Sequence, residues 1–243
     1  MGRDTADPLS RLAVSTRAMV AWQQWLDHPE KFWVRQVLFQ IHLWAGAAVS
    51  AYILVMSLTG SVLVYRNELS TKLSVEWLVD LHENLLTGST GHTINGVGAI
   101  CLTLLCLTGA VIWWPGTLHW RRSLTVDRRA RFARINWDLH SALGFWFFPF
   151  VVVWGISGIY FAFPRPFNVL LRFDPEDRFT DWGLSWLSQL HFGRFGWLAE
   201  AVWALAGLVL AVLAFSGMFI CCRRMIFKKP SNPKNDGHAT VGL

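Results

Sequence analysis

The chain has 243 residues, of which 53% are hydrophobic and 16% charged, and its mean hydropathy is +0.34. So few charges cannot cover so much apolar surface, which excludes a disordered chain and argues against an ordinary soluble domain. The composition therefore predicts a protein embedded in a membrane.

Four stretches of the chain contain no Asp, Glu, Lys or Arg. They are residues 36–65 (30 residues), 84–120 (37 residues), 139–164 (26 residues) and 201–222 (22 residues). Each is longer than the roughly 20 residues that a helix needs to cross about 30 Å of hydrocarbon. The sequence predicts an all-α membrane protein with four transmembrane helices in a bundle.

The segments around these stretches predict the domain organisation. Residues 1–32 form an N-terminal segment whose apolar and charged side chains suit a helix lying on the membrane surface. Residues 33–228 form the transmembrane domain, and residues 229–243 form a polar tail. The first 35 residues contain no uninterrupted apolar core, so a removable signal peptide is not expected.

Lys and Arg are concentrated before the first stretch, between the second and third, and after the fourth. They are Lys31, Arg35, Arg121, Arg122, Arg128, Arg129, Arg131, Arg134, Arg223, Arg224, Lys228 and Lys229. The positive-inside rule then predicts a bacterial inner-membrane protein with both termini and the Arg-rich loop in the cytoplasm. Because topology explains the net charge of +6, nucleic acid is not an expected partner.

The stretches repeat in pairs, which predicts a tandem repeat of a two-helix hairpin. In the first and third stretches, His42, Gly46 and Gly60 correspond to His140, Gly144 and Gly158 at a constant offset of 98. In the second arm of each hairpin, His82 and Gly109 correspond to His191 and Gly217 at offsets of 109 and 108.

Duplication predicts that equivalent histidines lie at equivalent depths. His42 and His140 follow the last preceding arginine by seven and six residues, which places both about 10 Å inside the cytoplasmic boundary. His82 and His191 precede glycines, so a short outer helix or turn is expected to carry each of them before the next span begins. The sequence predicts one histidine pair near each face.

Paired imidazoles across a helix bundle are typical of haem binding, because iron takes one axial nitrogen from each side. The sequence predicts two b-type haems, one held by His42 and His140 and the other by His82 and His191. Gly46 and Gly144 follow the inner histidines at i+4, where a missing side chain lets a flat macrocycle approach the backbone; ordinary small-residue helix packing is the alternative.

The sequence leaves several alternatives open. Zinc is disfavoured because neither pair has a third ligand at its depth. His92, which has Gly96 at i+4, can replace His82 as a ligand. The histidines can also serve as interhelical hydrogen-bond donors in a haem-free membrane scaffold or assembly subunit.

Two axial histidines leave iron no open coordination position, so such a centre is expected to transfer electrons. The sequence therefore assigns no catalytic residue. No dinucleotide or nucleotide motif occurs. Electrons are therefore expected to come from membrane quinone or from another redox protein, and the chain can work alone or within a larger membrane complex.

Three motifs carry a resemblance to a known family. They are Leu-His82-Glu-Asn-Leu-Leu-Thr-Gly-Ser-Thr-Gly-His-Thr-Ile-Asn-Gly with Trp113-Trp-Pro, Asn136-Trp-Asp-Leu-His140-Ser-Ala-Leu-Gly, and Leu-His191-Phe-Gly-Arg-Phe-Gly. They resemble the PepSY-associated transmembrane proteins over about residues 33–228. That family includes ferrisiderophore reductases and iron-regulated membrane proteins of bacteria.

The resemblance implies a haem-bearing helical core in which His42, His82, His140 and His191 match the family's histidines. It also implies a ferric chelate as a candidate electron acceptor, which would make the chain a ferric-chelate reductase. The sequence departs from the family in one respect: about 16 residues, 66–81, join the first two spans, where the family's reductases carry a large periplasmic insertion with PepSY modules.

Overall fold

The computed structural model describes residues 19–226 except 21, 22, 25, 28, 71–74, 116, 118, 119 and 171–177. These residues form helices, turns and loops without a β-strand. The helices are α1 (Trp33–Leu63), α2 (Arg66–Ser70), α3 (Glu76–Asn84), α4 (Ser89–Trp113), α5 (Phe132–Trp146), α6 (Phe148–Ala162), α7 (Pro164–Leu170), α8 (Arg178–Phe192) and α9 (Trp197–Ile226). Most of the N-terminal segment and the whole polar tail lie outside the described residues.

Three of these helices, α1, α4 and α9, are long and apolar enough to cross a membrane. Helices α5 and α6 together provide a fourth span if the pair, which is bent by 65°, counts as one. The prediction of an all-α membrane protein is confirmed, with three spans or up to four. Large apolar side chains on the outer faces of the long helices are exposed, as suits contact with lipid; examples are Ile41, Leu104, Leu205 and Phe215.

The bend between α5 and α6 has a local cause in the sequence. Pro149 is the second residue of α6, and proline has no backbone N–H and clashes with the carbonyl four residues earlier. A continuous helix would put that carbonyl at Phe145. The helix therefore ends at Trp146 and restarts at Phe148, although the sequence contains no charge at this point.

The spans contact one another around a small apolar core. Helix α1 packs against α9 and α4, α4 packs against α6, and α5 packs against α9. The buried core consists of Ile53, Leu105, Val151, Leu210 and Ala214, so every span contributes to it. This core lies between the two levels at which the histidines occur.

The two ends of the bundle differ. At the terminal end, where α1 begins and α9 ends, the guanidinium of Arg35 donates to the carbonyl oxygen of Ile112 at 2.7 Å, and Arg224 lies 4.4 Å from the ring centroid of Phe39. A cation at the last carbonyls of α4 suits the negative end of that helix. The opposite end, the loop end, contains the short helices α2, α3, α7 and α8.

The turn between α3 and α4 is conformationally unusual. Leu85 and Leu86 have φ values of 53° and 60°, and Gly88 follows with 62°. Left-handed backbone costs a residue with a Cβ about 1 kcal/mol. The turn is held by bonds from the amides of Leu85 and Leu86 to the carbonyls of Leu81 and Asp80, at 3.2 Å and 3.3 Å.

Candidate functional site

The structure brings the predicted inner histidines together. His42 on α1 and His140 on α5 face each other with ring centroids 6.4 Å apart and ring planes at 80°. Both line a cavity of about 900 Å³, a volume within the range of roughly 300–1,000 Å³ that small-molecule and cofactor sites occupy. Helices α1 and α5 thus meet at one site near the terminal end.

The two predicted glycines also line this cavity. A Cβ atom added at Gly144 would meet nothing within 4 Å, and one added at Gly46 would lie 3.8 Å from the side chain of Leu105. Neither glycine is therefore needed for close helix packing. Their missing side chains leave space inside the cavity instead.

The two histidines predicted for the outer site lie at the loop end, on short helices that precede α4 and α9. His82 is on α3 and His191 is on α8. Burial lowers the pKa of His82 to about 4. Burial and, second to it, the nearby His82 lower the pKa of His191 to about 3. Both imidazoles are therefore neutral near pH 7, which is the form that binds a metal ion.

Each of the four histidines makes the same contact, which the sequence analysis did not predict. Its Nδ1 atom lies within hydrogen-bond distance of a serine or threonine hydroxyl on a neighbouring span. The pairs are His42 with Thr108 (3.1 Å), His82 with Thr59 (2.8 Å), His140 with Ser216 (2.8 Å) and His191 with Ser157 (2.6 Å).

The direction of these bonds follows from the hydroxyl protons. Each hydroxyl also contacts a carbonyl oxygen of its own helix, as Thr108 contacts that of Leu104 at 2.8 Å and Ser157 that of Val153 at 2.6 Å. Two oxygens at this separation need the hydroxyl proton between them. The hydroxyl oxygen must then accept from the imidazole, which places the ring proton on Nδ1.

This tautomer has a chemical consequence. A neutral imidazole with its proton on Nδ1 keeps an unprotonated Nε2, whose lone pair is the metal-binding one. A metal-ligating histidine commonly donates its other ring N–H to an acceptor that fixes the ring. All four histidines therefore have the same tautomer, with an unprotonated Nε2 atom.

Glycine follows each of the four hydroxyl residues in the sequence, at Gly60, Gly109, Gly158 and Gly217. At three of them a Cβ would lie close to the Cε1 atom of the adjacent histidine: 3.1 Å at Gly60, 3.2 Å at Gly109 and 3.2 Å at Gly217. Gly158 instead faces Ala99 at 3.1 Å. At these three positions the absence of a Cβ atom leaves space for the imidazole ring.

Polar side chains from the spans anchor the two outer helices. The amide nitrogen of Asn95 on α4 donates to the carbonyl of His82 at 2.8 Å, and the hydroxyl of Tyr52 bonds the amide oxygen of Asn95. On the other side, the indole N–H of Trp154 donates to the carbonyl of His191 at 3.1 Å, and that of Trp203 to the carbonyl of Leu190 at 2.7 Å. The backbone that carries each outer histidine is therefore fixed.

The two levels are well separated. On α4, Asn95 bonds the backbone of His82 and Thr108 bonds the ring of His42. These residues are 13 positions apart, which corresponds to about 20 Å along a helix. The apolar core lies between the two levels.

His92 is the alternative ligand that the sequence predicts in place of His82. His92 is on α4, and among the described residues it makes no contact of its ring with a hydroxyl of another span. No group of three or more His, Cys, Asp or Glu that could hold a metal ion is found in the described part of the chain. Each of the two candidate sites therefore provides two histidines.

The hydroxyl residues Thr59, Thr108, Ser157 and Ser216 were missed by sequence reasoning. A usable signal existed, because each directly precedes a glycine within a span. Three of those glycines lie against a histidine, and all four were part of the repeat pattern. Asn95, Trp154 and Trp203 gave no such signal.

Membrane-crossing helices, a facing pair of histidines beside an apolar cavity, and a second pair of histidines at the loop end define a multi-pass membrane protein with candidate cofactor sites. Residues 70–178 match the family described as the PepSY-associated TM region, which confirms the resemblance over that part of the chain. The matched part contains His82 and His140, whereas His42 and His191 lie outside it.

A curated relative extends this comparison. The chain is 32% identical over 88 residues to an uncharacterized protein of Pseudomonas aeruginosa. The aligned part makes up 35% of this chain and 21% of the relative, so the chain spans about a fifth of that protein's length. No solved structure matches the chain.

Proposed function

We propose that the protein is a b-type membrane cytochrome with two haems that transfers electrons across the bacterial inner membrane. His42 and His140 would hold one haem, and His82 and His191 the other. The observation that carries the proposal is the facing pair His42 and His140, whose Nδ1 protons are given to hydroxyls and whose Nε2 atoms remain available.

The spacing of this pair fits a single iron atom. A metal–imidazole bond of about 2 Å, added to a five-membered ring radius of about 1.1 Å, places two ring centroids on opposite sides of one metal about 6.2 Å apart. The observed separation is 6.4 Å. Gly46 and Gly144 leave the adjoining space open, as a flat macrocycle between the helices requires.

The pattern of histidine–hydroxyl pairs supports a tandem repeat of two-helix hairpins. The inner histidines lie on α1 and α5, and their hydroxyl partners lie on α4 and α9. The outer histidines precede α4 and α9, and their partners lie on α1 and α6. Each hairpin thus contributes the same four elements in the same order.

Haem held by these histidines would supply one-electron transfer. The chain's own residues hold the rings neutral, orient them through Nδ1 and keep water away with the surrounding apolar side chains. The buried apolar core separates the two pairs of histidines. No residue is assigned a catalytic role.

The orientation and partners are part of the proposal. The positive-inside rule supports cytoplasmic termini, which puts the pair His42 and His140 near the cytoplasm and the pair His82 and His191 near the periplasm. Membrane quinone, a periplasmic redox protein, a larger membrane complex and a ferric chelate remain the candidate electron partners. Reduction of a ferric chelate would make the protein an enzyme.

Haem content of the purified protein tests the proposal. We expect a reduced spectrum of low-spin haem and two haems per chain. His140→Ala and His191→Ala should each lower the content to about one, because each removes one ligand of a different centre. His92→Ala is the matched control and should keep two.

Two results would contradict the proposal. A folded but colourless preparation would favour a haem-free scaffold instead. An unchanged haem content in both His140→Ala and His191→Ala would remove the ligand assignment even if the protein binds haem.

A further inference from the structure

A second, polar pocket adjoins the cavity that contains His42 and His140. Its volume is about 330 Å³, and it is lined by Pro115, Arg122, Ser123, Arg134 and Trp137. Pro115, Ser123 and Trp137 line the large cavity too. The two spaces are therefore contiguous at the terminal end, one of them apolar and the other containing two guanidinium groups.

The position of these arginines relative to the histidines is defined by the helix. Arg134 and His140 both lie on α5, six positions apart, so Arg134 is about 9 Å nearer the terminal end. The Nε atom of Arg134 lies 2.9 Å from a carboxylate oxygen of Asp138. A guanidinium has four further N–H donors in a planar fork that suits carboxylates.

We propose that this polar pocket binds the carboxylates of the porphyrin whose iron lies between His42 and His140. The inference rests on the proposed function, since it assigns Arg122 and Arg134 to the propionate groups of that haem. Carboxylates are costly to bury among apolar side chains. A macrocycle in the large cavity is therefore bound with its charged edge in the pocket that contains the two arginines.

The half-buried Arg35 makes this end of the cavity cationic from a second side. It lines the large cavity while its guanidinium bonds the carbonyl of Ile112 at 2.7 Å. The orientation of the porphyrin within the cavity follows from these charges. The propionates lie toward the terminal end, and the apolar edge of the ring lies toward the core residues Ile53 and Val151.

The test compares haem b with iron protoporphyrin dimethyl ester, which has the same ring and iron without free carboxylates. The titration uses the apo-protein of two variants, His191→Ala and His82→Ala. Each variant lacks one ligand of the outer site, so pigment binding reports on the pair His42 and His140. Binding is followed by the absorption spectrum of the bound pigment. We expect haem b to bind about tenfold more tightly than the ester, as charge-assisted hydrogen bonds imply.

The double variant Arg122→Gln with Arg134→Gln should bring this ratio close to one. Arg122→Gln alone, which leaves the bond between Arg134 and Asp138 intact, should reduce the ratio in part. Arg128→Gln in the same loop is the matched control, because Arg128 is exposed and does not line the pocket, and it should keep the full ratio.

The outcomes separate this inference from the proposed function. Equal affinities of the two pigments in the parent protein would overturn the carboxylate pocket while leaving a haem site. Failure to bind either pigment would contradict the proposed function itself. An anionic phospholipid is the other source of a suitable anion; if the arginine substitutions alter binding of phosphatidylglycerol in nanodiscs but not the pigment ratio, the pocket is a lipid site and the inference is wrong.

Discussion

The Nδ1 atom of His140 lies 2.8 Å from the hydroxyl oxygen of Ser216 on the adjacent span. That hydroxyl donates its proton to the carbonyl of Leu213 at 3.0 Å, so the imidazole is the donor to Ser216. One hydroxyl therefore fixes both the orientation of the ring and its tautomer. The same relationship recurs at the three other histidines, which makes it the common element of the two candidate centres.

Removing the hydroxyl should change the properties of the centre more than its occupancy. In Ser216→Ala the Nδ1 proton loses its acceptor, the imidazole becomes a weaker electron donor, and the midpoint potential of the inner haem should rise. A hydrogen bond of about 1 kcal/mol corresponds to roughly 40 mV for one electron. Redox titration followed by absorption measures the shift.

Ser216→Thr is the control for this experiment, because threonine retains the hydroxyl. It should leave the potential near that of the parent protein. An equal shift in the alanine and threonine variants would show that packing around Ser216, and not the hydrogen bond, determines the potential.

Gly144→Ala separates helix packing from cofactor binding. A Cβ at Gly144 meets nothing within 4 Å, and alanine favours a helix over glycine by about 1 kcal/mol. The thermal stability of the apo-protein should therefore stay the same or rise. Haem retention should fall, because the added methyl group enters the cavity.

Gly183→Ala is a matched control, since its Cβ also meets nothing within 4 Å and Gly183 does not line the cavity. It should leave haem retention unchanged. A Gly144→Ala protein that keeps its full haem content would show that this part of the cavity is not used by the macrocycle.

Asn95→Ala should affect the outer centre selectively. The amide of Asn95 donates to the carbonyls of His82 and Glu83 at 2.8 Å and 3.1 Å, and each unsatisfied buried group costs about 1–3 kcal/mol. Helix α3 should become less well held, so the outer haem should be lost first and total content should fall toward one per chain. Pyridine haemochrome analysis of the purified protein measures the content.

Thr93→Ala is the control, because Thr93 is exposed and lies on α4, as Asn95 does. This variant should retain both haems. Loss of the inner haem in Asn95→Ala, with the outer one kept, would contradict the role assigned to this side chain.

The number of spans can be tested with a reporter that is active only in the cytoplasm. If α5 and α6 cross the membrane as one bent span, fusions after residues 128 and 226 should be active and those after 67 and 170 inactive. The physical reason is that residues 139–164 contain no charge and are long enough to cross the bilayer despite the bend. Activity at 170 combined with inactivity at 226 would show that the pair forms a re-entrant loop.

The positions of the helices and histidines could be predicted because they depend on local properties of the chain. A long stretch without charges must satisfy its backbone hydrogen bonds internally in lipid, so it forms a helix whatever its neighbours are. Glycines after His82 and His191 predict the turns that follow the short helices, and φ values of 70° and 102° at Gly193 and Gly196 agree with this. The break at Phe147 depends on the single residue Pro149, whereas hydropathy reads residues 139–164 as one uninterrupted apolar stretch.

The sequence by itself determined an all-helical membrane protein with histidines at two levels, because hydropathy and spacing act along one chain. Only the tertiary structure decided which hydroxyl accepts each Nδ1 proton, that Gly144 opens onto a cavity, and that Asn95 holds the backbone of His82. These contacts join residues 13 to 76 positions apart, and they depend on how the helices rotate and pack against one another. The linear pattern of residues specifies neither the rotation of the helices nor their packing.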